Sequence, residues 1–223
     1  MRRGTLICLT GIDGSGKTTL SQYLIDDLNR HGREAAYVYG RYQPRLLLPA
    51  IALARRLFFP DTDRTRDYTG FSRKKRSAVR KHLLLSNLYA KLLLSEYCLQ
   101  LAFRVSLPLL LSRKAIVCDR YILDTIVTDL AVDFDYSPDD IRSAHERIQA
   151  RFPRPDITVV IDLPEEIAFW RKDDTPSIEY LAERRELYRS AGEKSGAVII
   201  DGSLPLDQVK RQVREVVWRG IRA

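Results

Sequence analysis

The sequence predicts an α/β fold in which helices cover both faces of a parallel β-sheet. Strand-like and helix-like segments alternate along the 223 residues, as they do in folds built from βαβ units. A glycine-rich segment joins the first predicted strand to the first predicted helix. Three of the five predicted strands end in aspartate, and ligand sites in open parallel sheets lie at the carboxyl ends of strands.

The predicted strands are short and mostly apolar. They cover residues 5–10, 35–39, 115–118, 157–161 and 197–200, and the last three are followed by Asp119, Asp162 and Asp201. The first helix is predicted from Thr18 to about Arg30, because leucines recur there at helical spacing, and Gly32 ends it. The chain shows no internal repeat or linker, so residues 1–223 are predicted to form a single domain.

Residues 11–18 read Gly-Ile-Asp-Gly-Ser-Gly-Lys-Thr, a complete G-x-x-x-x-G-K-T phosphate-binding motif. Its glycines permit a tight loop whose N–H groups point at phosphate oxygens, and the helix N-terminus adds a favourable dipole. Lys17 supplies a charge to the β- and γ-phosphates of a nucleotide, and the Thr18 hydroxyl is placed to bind Mg²⁺. The predicted ATP-binding residues are Gly11, Gly14, Ser15, Gly16, Lys17, Thr18 and Thr19.

The composition is ordinary for a globular protein, with 45% hydrophobic residues, 30% charged residues and a formal net charge of +8. That charge suits nucleic acid, an anionic membrane or anionic small molecules, although we expect no nucleic-acid partner. The three cysteines lack paired spacing, which favours packed thiols in a reducing compartment. We expect a cytoplasmic protein, because no signal peptide precedes the first strand and charged residues interrupt the most apolar stretch, 83–111.

Two segments interrupt the alternation of strands and helices. Residues 44–60 are strongly apolar and could cap the core, line a hydrophobic acceptor pocket or touch a membrane surface. Residues 64–81 carry a run of cations, which is typical of a solvated face and also suits an anionic substrate, nucleic acid or acidic lipid. The long apolar helix at 83–111 would suit a dimer face, so a homodimer and a peripheral membrane contact both stay open.

Asp119-Arg120-Tyr121 follows the third predicted strand directly. An aspartate in that place can hold a Mg²⁺-bound water, and the planar fork of an arginine can grip a phosphate. With this motif the chain resembles the thymidylate kinases, a branch of the P-loop nucleoside monophosphate kinases. The matching pieces are GIDGSGKTTL at 11–20, IVCDRY at 116–121, PDITVVIDLP at 155–164, a lid-like stretch at 171–188 and VIIDGSLPLDQV at 198–209.

The resemblance implies a P-loop NTPase three-layer sandwich with a five-stranded parallel sheet of order 2-3-1-4-5. It implies ATP and Mg²⁺ at the phosphate loop and a small phosphate acceptor opposite, with the 202–205 loop near the adenine. The implied metal-site residues are Thr18 and Asp119, and the catalytic residues are Lys17, Asp13, Arg120 and Arg171. The residues assigned to the acceptor are Asp13, Arg41, Arg120, Tyr121 and Asp124.

The acceptor half departs from the family pattern. After the second strand, residues 40–44 read Gly-Arg-Tyr-Gln-Pro instead of the usual Arg-Glu-Pro-Gly-Gly-like turn, and 41–82 is a divergent acceptor-side insert. The arginine that reads the thymine ring in the family would fall near Tyr97-Cys98, where this chain has none. The lid, 171–176, is short, and Gly14 stands where some members carry a catalytic arginine.

Three functions follow from these observations: a nucleoside monophosphate kinase of the thymidylate kinase type, a kinase of the same fold for an apolar or hydroxyl acceptor, and a nucleotide-binding regulatory protein. A monophosphate is already a nucleophile, whereas a hydroxyl needs a carboxylate base, for which Asp13 and Asp124 are the nearest candidates. Asp124 could equally be a helix-surface or capping residue. Arg184 and Arg185 are interpreted as surface partners of neighbouring glutamates. We favour the first function and expect thymidylate to be a poor substrate.

Overall fold

Five parallel strands form one sheet in the order β2-β3-β1-β4-β5, which confirms the expected order. The computed structural model describes residues 4–49, 52, 56, 83–131, 136–172 and 175–222. The strands are β1 (Leu6–Thr10), β2 (Ala35–Tyr39), β3 (Ala115–Asp119), β4 (Ile157–Asp162) and β5 (Val198–Asp201). Every strand begins and ends within one residue of its predicted bounds, because its apolar run is clearly delimited by polar or turn residues.

Helices cover both faces of the sheet. They are α1 (Lys17–Arg30), α2 (Leu83–Leu101), α3 (Leu107–Leu111), α4 (Ile122–Thr125), α5 (Pro138–Gln149), α6 (Glu165–Trp170), α7 (Ile178–Ser195) and α8 (Leu206–Arg222). A π-helical turn, Ala102–Ser106, joins α2 to α3, and a second, Ile126–Ala131, continues α4. The three-layer α/β architecture is therefore as predicted.

The central strands are buried on both sides, which explains their unbroken apolar sequence. In β1, Leu6 and Cys8 join the core beneath α2, α4, α5 and α7, while Ile7 and Leu9 join the core beneath α1 and α8. This alternation follows from the two-residue period of a strand.

The three cysteines are all free, and Cys8 and Cys118 are buried thiols as expected.

The chain that follows β2 is bound to the side of α2. The Glu96 carboxylate accepts hydrogen bonds from the backbone N–H groups of residues 45–47, at 2.7, 2.7 and 3.3 Å. One turn later, the Gln100 side chain donates to the Gln43 carbonyl at 2.6 Å. The beginning of the apolar 44–60 segment is thus fixed on this helix. The remainder of that segment and the basic stretch 64–81 lie largely or wholly outside the described residues.

An apolar stripe remains exposed along the α2–α3 helix. Its members are Leu88, Leu92, Leu99, Phe103, Leu107 and Leu110. They lie opposite the buried face that carries Leu93, Tyr97 and Leu101. By length and composition alone, residues 88–111 are also apolar enough to span a membrane, although 33% of the 18-residue apolar stretch within them is buried inside the protein. The sequence had not led us to expect a segment of this length and apolarity. Buried core helices of water-soluble proteins can be equally long and apolar, so this property is weak support for a membrane span.

We expect the apolar stripe to pair with a second copy of the chain. Replacing Phe103, whose side chain is 67% exposed, with glutamate would bury a charge in that interface and weaken association on the order of 100-fold. Sedimentation equilibrium of wild type and Phe103→Glu measures this. Leu206→Glu changes an exposed apolar residue on α8 and should leave association unchanged. A wild-type protein that stays monomeric and binds anionic vesicles through Phe103 would instead favour the membrane contact.

Candidate active site

The phosphate loop between β1 and α1 has the close backbone packing that only glycine allows. Gly11 and Gly14 have φ values of 139° and 83°, and a Cβ at either would lie 2.5 Å from the carbonyl oxygen of Ile161 or Ala168. Gly16 precedes α1 in a left-handed conformation and supplies no side-chain cap, and the first turn of α1 has no acidic residue. The free N–H groups of that turn therefore remain available to an anion.

Lys17 is buried beneath the loop. Its Nζ donates to the carbonyl oxygen of Ile12 at 2.5 Å and to Ser15 Oγ at 3.0 Å. Burial, together with the positive charge of Arg120, lowers the pKa of Lys17 to about 7. Phosphate anions near Nζ would favour the charged form. Proton binding by Lys17 is thus coupled to filling of the loop.

Asp119, at the end of β3, meets the first turn of α1. Its Oδ2 accepts hydrogen bonds from Thr18 Oγ1 at 2.6 Å and from the Tyr37 hydroxyl at 2.9 Å. Its Oδ1 is buried and has no hydrogen-bond partner among the described residues. A buried carboxylate oxygen of this kind calls for a water or a cation. The pair of Thr18 and Asp119 therefore fits a hydrated Mg²⁺.

The protein supplies few ligands to such a metal. No group of three His, Cys, Asp or Glu side chains comes together in the part of the chain that the structure describes. Mg²⁺ commonly keeps several waters and binds through one or two protein oxygens together with substrate phosphates. The donor set of Thr18 and Asp119 matches that kind of site.

Arg120 stands at the centre of the site. Its φ of 70° is the only positive value of a non-glycine residue within the described ranges, a conformation that costs about 1–3 kcal/mol. The backbone N–H donates to the Leu9 carbonyl at 2.9 Å, and a Cβ at Gly40 would lie 2.3 Å from the Arg120 carbonyl oxygen. This backbone holds the guanidinium between Asp13, to which Nη2 donates, and Asp124, 3.4 Å from Nη1.

Several positively charged side chains surround the Asp13 carboxylate. Burial alone would raise its pKa, but Arg120 and Lys17, with smaller effects of Lys172 and Arg41, lower it to about 2. Asp13 is therefore ionised at neutral pH. Because the charges of Lys172, at the start of the lid, and Arg41, after β2, affect this pKa, both side chains lie in the neighbourhood of the Asp13 carboxylate.

Asp124 lies behind Arg120 rather than on a helix surface. Its carboxylate is fully buried and accepts hydrogen bonds from Thr10 Oγ1 at 2.7 Å, the Tyr121 N–H at 3.0 Å and the Tyr188 hydroxyl at 2.9 Å. Burial raises the pKa of Asp124, although the charges of Arg120 and Lys17 and the hydrogen bonds from Thr10 and Tyr121 oppose the rise. Asp124 thus caps α4 from inside the protein and orients Arg120. Its predicted contact with the acceptor stays a prediction.

The hydrogen bond from Tyr188 to Asp124 was not predicted from the sequence, and the arginines of α7 differ from their predicted surface positions. Arg185 donates to both oxygens of Asp162, at 2.6 and 3.1 Å, and to Glu165 at 2.7 Å. Arg184 is buried with its guanidinium 3.6 Å from the centre of the Tyr180 ring. The interpretation as a surface pair is therefore wrong for Arg185, whose partners lie at the end of β4 and the start of α6. Arg184 is buried, although its Nη1 lies 3.9 Å from a carboxylate oxygen of the neighbouring Glu183. Helical spacing on α7 could have indicated that Arg184 and Tyr188 share one buried side.

The other assigned residues lie around this centre. Ser15 is buried in the loop, and Thr19 is exposed on α1. Arg171 is exposed where α6 ends, and the lid that follows it includes residues 173–174, which lie outside the described ranges. Tyr121 is buried and its hydroxyl donates to the Pro153 carbonyl at 3.0 Å. The roles of all these residues, and of the 202–205 loop, stay predictions.

Comparison with known proteins gives one family match and several relatives. Residues 2–97 match the model of the nephrocystin 3 N-terminal family. A probable thymidylate kinase of Archaeoglobus fulgidus is 28% identical over 218 residues, covering 95% of this chain and 94% of that protein. Probable thymidylate kinase 1 of Saccharolobus solfataricus is 24% identical over 97% of this chain and 98% of its own length. A thymidylate kinase of Chromobacterium violaceum is 29% identical over 78% of this chain and 70% of its own length.

We expect nucleotide binding to take up a proton. At pH 8 a Lys17 with a pKa near 7 is mostly neutral, so filling the loop with MgATP should bind about one proton and affinity should fall as pH rises further. Calorimetry at pH 8 in buffers of different ionisation enthalpy counts that proton. The uptake should persist in Lys114→Met, which alters an exposed lysine, and disappear in Lys17→Met. Equal heats in all buffers would contradict the expectation.

Proposed function

We propose that this thymidylate kinase-like chain transfers the γ-phosphate of ATP to a nucleoside monophosphate. Its similarity over most of its length to proteins named thymidylate kinase supports a nucleotide kinase. The observation that carries the proposal is the position of Arg120, held rigidly by Asp13 and Asp124 beside the phosphate loop. A fixed guanidinium at that place can bind the acceptor phosphate in line with the donor. We also propose a cytoplasmic location.

The donor side is organised for charge neutralisation. The N–H groups of the loop and the Lys17 ammonium bind the β- and γ-phosphates. Thr18 and Asp119 would hold Mg²⁺, which when bound neutralises part of the phosphate charge. Phosphoryl transfer requires little covalent help from the protein, so positioning and charge account for most of the catalysis.

The acceptor side favours a group that needs no base. Asp13 is a weak base because its pKa is about 2, and the Asp124 carboxylate is buried and occupied by hydrogen-bond donors. Neither of these two carboxylates is therefore suited to remove the proton of a neutral hydroxyl. A monophosphate oxygen is already an anionic nucleophile, and Arg120 with the nearby Arg41 supplies the countercharge. These observations support a nucleoside monophosphate over a hydroxyl acceptor.

Base selection differs from that expected for thymidylate. Where the resemblance places a thymine-reading arginine, Tyr97 is fully buried and donates its hydroxyl to the Gly40 carbonyl at 2.9 Å. A pocket without the donor that a base requires discriminates weakly for that base. We propose that thymidylate is accepted poorly and that another nucleoside monophosphate is preferred.

An ADP-release assay across nucleoside monophosphates, nucleosides and polyprenols tests the activity. We expect turnover with at least one monophosphate, and a thymidylate kcat/KM below about 10⁴ M⁻¹s⁻¹. Lys17→Ala should lower kcat by orders of magnitude, whereas Lys114→Ala should not. Turnover of nucleosides or polyprenols alone would refute the proposed acceptor, and efficient turnover of thymidylate would refute the proposed selectivity. No ATP-dependent turnover with any acceptor would favour the regulatory alternative.

Arg120→Lys tests the role of the central guanidinium. Lysine keeps the charge but loses the forked geometry, so the acceptor KM should rise about tenfold or more while the Kd for ATP changes little. Steady-state kinetics and calorimetry separate the two effects. Arg214→Lys, in an ion pair with Asp27 on the other sheet face, is the matched control. A collapse of ATP affinity with an unchanged acceptor KM would place Arg120 on the donor side.

A further inference from the structure

A cavity lies on the α5–α7 side of the sheet, and no residue of the 11–18 phosphate loop lines it. It occupies about 350 Å³ between α5 and α7, and its floor includes Cys8 of β1 and Thr158 of β4. Lys17, Thr18 and Arg120 do not line it. The cavity is therefore distinct from the site that binds the donor and acceptor phosphates.

The cavity is partly open to solvent and is large enough to hold a small molecule. Its volume of about 350 Å³ lies within the usual range of small-molecule sites.

The lining is apolar inside and cationic at the rim. Leu123, Ile141 and Leu187 contribute apolar walls from three different elements. The exposed charged residues of the lining are Arg142, Glu146, Arg154 and Lys194. Because Arg142 is paired with Asp139, 3.2 Å away, the rim carries only a small excess of positive charge, which favours a negatively charged group there. The chemistry of the cavity therefore matches a molecule with an apolar body and an anionic head.

The inner end of the cavity reaches the network behind Arg120. Thr10 and Tyr121 line it, and both donate hydrogen bonds to Asp124, at 2.7 and 3.0 Å. Asp124 in turn orients the guanidinium of Arg120. A molecule packed against Thr10 and Tyr121 would restrict the movement of these donors. Filling of the cavity is thus connected physically to the acceptor-binding arginine.

We propose that the α5–α7 cavity is a regulatory site for a small amphipathic anion, with an apolar body and one carboxylate or phosphate head, and that its occupancy tightens acceptor binding through Asp124 and Arg120. The site lies beyond the proposed catalytic function. Its ligand binding can be measured without any turnover, so failure of the proposed kinase activity would leave that measurement intact.

Calorimetry of the full chain with decanoate and with decyl phosphate, both below their micelle concentrations, tests binding. One of the two should bind at a single site, and decylamine, with the same body and a positive head, should not. Lys194→Glu should weaken binding about fivefold or more. Arg211→Glu makes the same charge change on α8, on the other sheet face, and should bind like wild type. Preference for decyl phosphate over decanoate would identify a phosphate head.

Two further measurements complete the test. Ala191→Phe places a ring in the cavity and should abolish binding; if this variant does not fold, the Lys194→Glu and Arg211→Glu pair decides. In the wild type, the saturating anion should lower the acceptor KM about fivefold, within the usual range of allosteric coupling. Absence of binding, equal binding of decylamine, or equal affinity in Lys194→Glu would overturn the site. Binding with an unchanged acceptor KM would overturn the regulation.

Discussion

The buried guanidinium of Arg120 is the interaction on which the rest of the active site depends. It joins Asp13 in the phosphate loop, 107 residues away, to Asp124 at the start of α4. Removing one partner would leave a buried charge without compensation, which costs about 3–5 kcal/mol in buried ion pairs, and the left-handed backbone of Arg120 adds strain of about 1–3 kcal/mol. The two ion pairs therefore connect the loop, the end of β3 and the start of α4.

The same arrangement explains the electrostatics of the site before any ligand binds. Lys17 and Arg120 are both buried and close enough for the charge of one to depress the pKa of the other. Asp124, Asp13 and Asp119 oppose that repulsion but do not remove its effect, because burial and Arg120 together still lower the pKa of Lys17 to about 7. Phosphate anions entering from the donor and acceptor sides would relieve the remainder. The protein thus holds its charges in place in advance, so little reorganisation accompanies transfer of the phosphoryl group.

The sequence was sufficient for features that depend on neighbouring residues. The strand bounds and the loop glycines follow from apolar runs and from the phosphate-binding motif, whereas Thr18 and Asp119, 101 residues apart, were assigned to one site only through the family resemblance. Contacts between distant segments were not predictable in the same way. Tyr188 reaches Asp124 across 64 residues, and Arg185 reaches Asp162 across 23, and no local pattern identifies these distant partners. The charges of Lys172 and Arg41 also lower the pKa of Asp13, and this long-range effect could not be read from the sequence.

In the acceptor half, the side chains at the place where the resemblance puts base recognition are engaged within the protein. Glu96 and Tyr97 both face the chain after β2, where they bind the backbone of residues 45–47 and of Gly40. Side chains engaged in this way cannot also hydrogen-bond a base, because releasing them would leave buried polar groups unpaired at about 1–3 kcal/mol each. Neither Arg120 nor the phosphate loop takes part in these hydrogen bonds. Recognition of the acceptor base must therefore come from other residues, whereas recognition of its phosphate can remain with Arg120.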